Sequence, residues 1–389
     1  MLTSIQMHNS PGGTSCEAMK EITATHRSEN VDAASSVAHV VSSRRWSFGI
    51  GLFVLLVVVA VAALGVGAVS ISPGEIISIL VDSLGFPLAG PLDSAYQQII
   101  TSIRFPRVAL AVLVGAGLAI SGAAMQGLFR NPLADPALIG ISSGAALAAV
   151  AVIVLGATLL SGYTAFWGIY ALPVAAFLGG LVTTFLVYQF SNFNGRTSVS
   201  TMLLAGIAIN ALTIAVTGLL TYMANDEQLR TLTFWSMGSL GGASWDELRV
   251  AAPILLLSIV LIPQQASALN ALLLGESEAL HLGYNLERVK RGLIVLVALC
   301  VGVSVSFTGI IGFIGLITPH LLRLSIGPDH RFLLPFSALL GASLLLASDL
   351  LARTLVSPAE LPIGIITSLV GGPFFLWLLL RQRRRGESW

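Results

Sequence analysis

The sequence predicts an all-α membrane protein with about ten transmembrane helices. Three observations predict it. Hydrophobic residues make up 55% of the chain and charged ones only 10%, with a mean hydropathy of +0.87. Apolar runs repeatedly reach 20 residues, and about 20 apolar residues cross a bilayer core of about 30 Å as one helix. The charges that remain are gathered between those runs. A length of 389 residues would otherwise suggest two or three soluble domains.

Residues 1–45 are polar and contain no apolar core. The first apolar run starts at Phe48 and is too long for a secretory signal. Residues 1–45 are therefore expected to be a disordered cytoplasmic tail, and 46–389 the membrane domain. The spans read as 47–70, 106–128, 137–157, 167–190, 199–222, 248–265, 292–308, 310–324, 332–355 and 362–380. In the second, Gly115, Ala119, Ala123 and Gly127 fall four apart, a small-residue stripe for close helix packing. Trp46, Trp167, Trp245 and Trp377 lie near span ends, as interfacial anchors do.

Basic residues set the orientation. With both termini in the cytoplasm, Arg44, Arg45, Arg130, Arg196, Arg288, Lys290, Arg291, Arg323, Arg331 and the basic cluster at 381–385 fall inside. Arg104, Arg107, Arg230, Arg249 and Arg353 fall outside and need a separate reason.

Composition also excludes. A net charge of +1 carries no nucleic-acid signature. Cys16 in the tail and Cys300 in a span suit neither a disulfide nor a metal site. No G-x-x-x-x-G-K-[ST] is present, so the chain has no P-loop with which to hydrolyse ATP. Acidic residues sit at loops and span ends, which counts against a proton-coupled secondary transporter. No Ser–His or His/Asp/Glu constellation supports an embedded enzyme.

The most informative interruption is 266–292, ASALNALLLGESEALHLGYNLERVKRG. It predicts a short helix to Leu274, a break at Gly275, a second helix over 276–282 and a turn at Gly283. Ala279, Leu282 and Leu286 stand at helical spacing. An interfacial loop and a docking surface both fit this pattern. The core G-E-x-x-A-x-x-L-G resembles the coupling loop of ABC importer permeases, specifically the type II permeases for vitamin B12, ferric siderophores and haem. The resemblance covers roughly 47–380 and implies the type II importer architecture. It implies ATPase coupling through Leu274, Gly275, Glu276, Ala279, His281, Leu282 and Gly283.

Further stretches carry the same resemblance. Arg130–Pro136, R-N-P-L-A-D-P, holds two prolines that forbid a continuous helix. It is similar to the family's N-P-L-A-[DE]-P signature, which implies a cytoplasmic gate at Asn131 and Leu133, with Ser198, Ser200 and Thr201 as its second half. G-F-I-G-L-I-T-P-H-L-L-R, 312–323, and P-A-E-L-P-I, 358–363, are further signatures. His320 reads as a structural histidine rather than a metal or haem ligand, and Glu360 as a cap on the last span. The resemblance implies that Arg104, Arg107 and Arg353 dock a periplasmic binding protein; pairing inside the chain, such as Arg353 with Asp349 one turn away, is the alternative.

The implied machine is a homodimer in the bacterial inner membrane. It works with two ATPase subunits that carry ATP and Mg, and with a periplasmic binding protein. No cofactor is expected on this chain, nor any catalytic or metal-ligating residue. Leu232–Trp245 and the GESEALHLG form of the loop resemble haem permeases most. The expected substrate is therefore haem, with ferric siderophores or vitamin B12 as the alternatives.

Overall fold

A computed structural model describes residues 45–67, 69–83 and 94–385. The expected tail at 1–45 lies outside them, apart from Arg45. By internal contacts the chain divides into Met1–Gly51 and Leu52–Trp389. Of the first unit only 45–51 is described, the opening turns of α1 (Arg45–Gly65). The rest of this section concerns the second unit.

After α1 come α2 (Pro73–Ser83), α3 (Ser94–Gln98), α4 (Phe105–Leu128), α5 (Ile141–Leu155), α6 (Ser161–Trp167), α7 (Ala171–Ser191) and α8 (Val199–Tyr222). Then follow α9 (Asp226–Ser236), α10 (Trp245–Leu261), α11 (Ala266–Leu274), α12 (Glu276–His281), α13 (Leu286–Thr308), α14 (Ile314–Ile326), α15 (His330–Thr354) and α16 (Ile363–Arg385). Among the described residues seven helical runs are long and apolar enough to cross a membrane: Arg45–Gly65, Ser94–Leu128, Ser161–Ser191, Val199–Tyr222, Trp245–Leu274, Leu286–Thr308 and His330–Thr354. Three shorter apolar helices, Ile141–Leu155, Ile314–Ile326 and Ile363–Leu378, carry the remaining predicted stretches. At about 1.5 Å per residue the shorter ones reach only about 20–24 Å, less than the bilayer core. The chain is an all-α, multi-span membrane protein.

Helix starts follow from polar caps. Ser198, Asn225, Ser244, Asn285 and Asp329 each accept a backbone N–H from the first turn of α8, α9, α10, α13 and α15. The second span begins earlier than predicted, at Ser94, because a π-helical segment, Ile99–Arg104, joins α3 to α4. Pro106 explains the irregularity. It has no N–H, so the carbonyl of Thr101, its partner in a π pattern, is left open. The indole N–H of Trp245 donates to that carbonyl at 2.8 Å, and the Trp245 ring stacks on Phe105 with centroids 5.6 Å apart.

α4 is the central post, with 19 of its 24 residues buried. It packs against α10, α13, α14 and α15. Lipid is as apolar as leucine, so such packing relies on close van der Waals approach rather than on expulsion of water. The predicted stripe does this against α15. A methyl added at Gly115 would lie 2.5 Å from the Gly341 carbonyl, and one added at Gly341 would lie 2.3 Å from the Ala119 Cβ. A second approach lies outside that stripe: a Cβ on Gly122 would meet the Gly315 carbonyl of α14 at 1.9 Å. Gly122→Val should therefore destabilise the protein by about 1–3 kcal/mol through overpacking. Gly162→Ala, where a methyl meets nothing within 4 Å, should be neutral. Thermal unfolding of both variants in detergent checks this, and equal midpoints would contradict it.

Candidate functional site: the coupling loop, the hairpin and a broken-helix cavity

The interruption at 266–292 folds as two short helices. α11 runs on from α10 through a single 3-10 turn, Ile262–Gln265. Gly275 then takes φ 134°, and a Cβ there would lie 2.0 Å from the Glu278 carboxylate, so glycine is required at this break. Gly283, at φ 87°, makes the second turn. Ala279 and Leu286 are buried, but Leu282 is 60% exposed, because α12 ends at His281 and the helical spacing no longer holds. Leu274, Leu280 and Leu282 thus form an exposed apolar patch around α12, with His281 exposed beside it.

Beneath the patch lies Lys290, one of only two lysines in the chain and 3% exposed. Its ammonium contacts the Glu276 carboxylate of α12 at 3.0 Å and the Glu287 carboxylate one turn back at 3.8 Å. It also donates to the Thr197 carbonyl at 3.0 Å. The Thr197 N–H and hydroxyl donate in turn to Glu287 at 3.0 and 2.9 Å. A buried ammonium must be neutralised and hydrogen-bonded, and this set does both. These residues also line a surface cleft of about 540 Å³ together with Arg196 and Tyr284.

Thr197 is held there by a hairpin that spans did not reveal. β1 (Asn192–Phe193) pairs antiparallel with β2 (Arg196–Thr197). Between them Asn194 and Gly195 have φ 51° and 76°. An Asn-Gly pair with both φ values positive is the sequence signal of a two-residue hairpin, and it was available in S-N-F-N-G-R-T.

The hairpin leads into α8, where Ser198 caps the helix and accepts the Thr201 hydroxyl at 2.9 Å; Ser200 is exposed. Two turns on, α8 touches the loop after α4. A Cβ on Gly206 would meet the Leu138 carbonyl at 1.9 Å, and the Asn210 amide donates to the Ala137 carbonyl at 3.4 Å. Ala137 and Leu138 belong to the 3-10 turn Pro136–Ile139, which continues directly from the N-P-L-A-D-P stretch. The Leu133 N–H donates to the Asn131 side chain at 2.9 Å, and Leu133 is 38% exposed. Asp135 caps the 3-10 turn Pro136–Ile139 through the Ala137 N–H at 2.7 Å. Burial pushes its carboxyl above the ordinary range, and that hydrogen bond offsets the shift only in part.

Asp135 faces a cavity of about 90 Å³ shared with Leu118, Ser142, Val305 and the non-helical segment 310–313. This segment separates α13 from α14, and Phe313 in it has φ 69°, a strained value for a bulky side chain. Gly315 touches α4 at Leu118 and Gly122, past the midpoint of that helix. Irregular backbone at such depth is tolerated where it lines a cavity. His320, further along α14, is buried beside the Phe374 ring at 6.1 Å.

At the opposite end of α4 the outlying arginines have partners within the chain. Arg104, 6% exposed, donates to the carbonyls of Leu64, Gly65 and Val69, and Arg353 donates to that of Ala63. These include the orphan carbonyls at the C-terminus of α1, which cationic side chains satisfy. Arg107 bridges the buried Asp349 at 2.8 Å and the half-exposed Glu360, also at 2.8 Å. Arg353 lies 3.6 Å from Asp349, the one-turn pairing that stood as the alternative to docking. The 232–245 stretch serves as a joint nearby: the Met237 and Gly238 carbonyls accept the N–H groups of Gly364 and Ile363.

Comparison with known proteins places this geometry. The family described as the FecCD transport family matches residues 55–381. The hemin transport system permease protein HmuU of Yersinia pestis is 48% identical over 334 residues, 86% of this chain and 95% of its own. The cobalamin import system permease protein BtuC of Halobacterium salinarum is 44% identical over 293 residues, 75% of this chain and 76% of its own. A solved inward-facing structure, assigned to the metal-chelate type of ABC transporter, superposes with a TM-score of 0.74 at 36% identity. It covers 86% of this chain and 99% of that one. The chain therefore belongs to the FecCD transport family, as a non-catalytic membrane permease that passes a substrate from a periplasmic binding protein while separate ATPase subunits hydrolyse ATP.

Proposed function

We propose that this chain imports haem, as a homodimer coupled to two ATPase subunits that bind ATP and Mg. The observation that carries the coupling reading is the Lys290 cluster. It ties α12 to the hairpin that starts α8, and α8 in turn touches the loop holding Asn131 and Leu133. In this reading the exposed patch of Leu274, Leu280, His281 and Leu282 seats in an ATPase groove, with Gly275, Ala279 and Gly283 fixing its shape. A displacement of α12 then reaches the gate residues Asn131, Leu133, Ser198, Ser200 and Thr201 through packed, hydrogen-bonded elements. The orientation is the one that basic residues favour, with both termini and α12 in the cytoplasm.

The rim that Arg104, Arg107 and Arg353 underlie is the proposed dock for the binding protein, although these arginines are themselves largely buried and paired within the chain, which leaves the half-exposed Glu360 as the charge it presents. Arg107 holds Glu360 at the surface, and docking by charge pairing would be salt-sensitive. The second copy is placed against α8, the least covered of the long spans at 11% buried. Haem is preferred to a siderophore or cobalamin because of the resemblance of the 232–245 stretch and the 48% identity to a hemin permease.

Four measurements test the proposal. Lys290→Met should leave membrane insertion intact and lower substrate uptake per ATP hydrolysed by roughly two- to thirtyfold, the range expected for a coupling position. Lys290→Arg should restore part of it; unchanged stoichiometry in Lys290→Met would remove the coupling role. The complex, reconstituted with its own binding protein, should take up haem in preference to a ferric siderophore or cobalamin. Its mass gives the copy number, and the salt dependence of docking tests the rim. Uptake of either competitor without haem would refute the substrate and leave the importer standing.

A further inference from the structure

We propose that a groove between α7 and α13 is a binding site for an anionic phospholipid. The groove, about 380 Å³, is walled by Leu181, Phe185 and Tyr188 of α7 and by Arg291, Val295 and Ala298 of α13. On each helix these positions repeat at three and four residues, so two apolar stripes face each other. Its only charged lining residue is Arg291, at the end next to α12. The Arg291 Nε–H donates to the Tyr188 hydroxyl at 3.2 Å, which ties the guanidinium to the α7 wall of the groove. Among the described residues no carboxylate pairs with Arg291, so its terminal N–H groups have no anionic partner among them. Arg288, one turn nearer α12, is exposed and adds positive charge.

Length and polarity select the occupant. From Arg291 to the far end of the groove at Leu299 is about 12 Å of helix at about 1.5 Å per residue. One leaflet of the hydrocarbon core is about 15 Å deep. An acyl chain lying in the groove would therefore put its phosphate at the level of Arg291, where a guanidinium binds it by charge-assisted hydrogen bonds. A non-helical protein segment would need partners for its own backbone, and a wall made mostly of Leu181, Phe185, Val295 and Ala298 supplies few, whereas an acyl chain needs none. Basic residues between helices at a membrane edge are the general form of an anionic-lipid site.

The test uses the intact permease–ATPase complex, delipidated in neutral detergent and then offered phosphatidylglycerol or phosphatidylcholine. Native mass spectrometry counts retained lipid. Phosphatidylglycerol should be retained about fivefold better, the increment expected for one arginine near the surface. Arg291→Gln should abolish the preference. Val295→Trp, which fills the groove from an exposed position, should lower retention of both lipids. Arg331→Gln, an exposed arginine away from the groove, should change nothing. Equal retention of the two lipids by the parent, or an equal loss in Arg331→Gln and Arg291→Gln, would overturn the site.

Discussion

A single buried ammonium constrains the face of this protein that carries α12. Lys290 is 3% exposed, and an unpaired charge at that depth would cost several kcal/mol. Its partners come from three places in the chain: Glu276 in α12, Glu287 in α13 and Thr197 in the hairpin. Satisfying the charge therefore fixes all three relative to one another. The Glu276 and Glu287 carboxylates are partly solvated, so their attraction to Lys290 is partly screened. A tie between α12 and the start of α8 is what the proposed coupling requires.

The rest of the structure gives that tie something rigid to act on. α4 meets α14 and α15 at glycines where even a methyl would collide with backbone. Packing this close resists gradual deformation and favours discrete rearrangements. The break between α13 and α14 is the exception, with a strained Phe313 and a cavity at its side. The N-P-L-A-D-P loop borders the same cavity through Asp135. The irregular segment and the loop thus share the wall of one cavity.

Much of this was legible in the sequence. Apolar runs located the long apolar helices, and Gly275 and Gly283 located the breaks around α12, where the chain takes positive φ. The chemistry of the hub was not legible. Lys290 reads as one more basic residue at a membrane edge, and only the fold brings Glu276, fourteen positions earlier, and Thr197, ninety-three earlier, to its ammonium. The outer arginines illustrate the same limit. Their departure from the charge rule was visible, but two of them answer the open carbonyls of α1, whose position beside α4 and α15 no local pattern reveals. The Asn-Gly hairpin and the π segment before Pro106 did have local signals, which the dominant apolar periodicity masked.

The central claim is that motion at α12 reaches the 129–140 loop through Lys290. Modification of Leu133→Cys by an aqueous maleimide measures this directly, in the complete complex with and without trapped nucleotide. The chain without that cysteine serves as the blank for Cys16 and Cys300. The account predicts that nucleotide changes the modification rate at 133 in the Lys290 chain and leaves it unchanged in Lys290→Met. The same nucleotide-dependent change in both chains would contradict it.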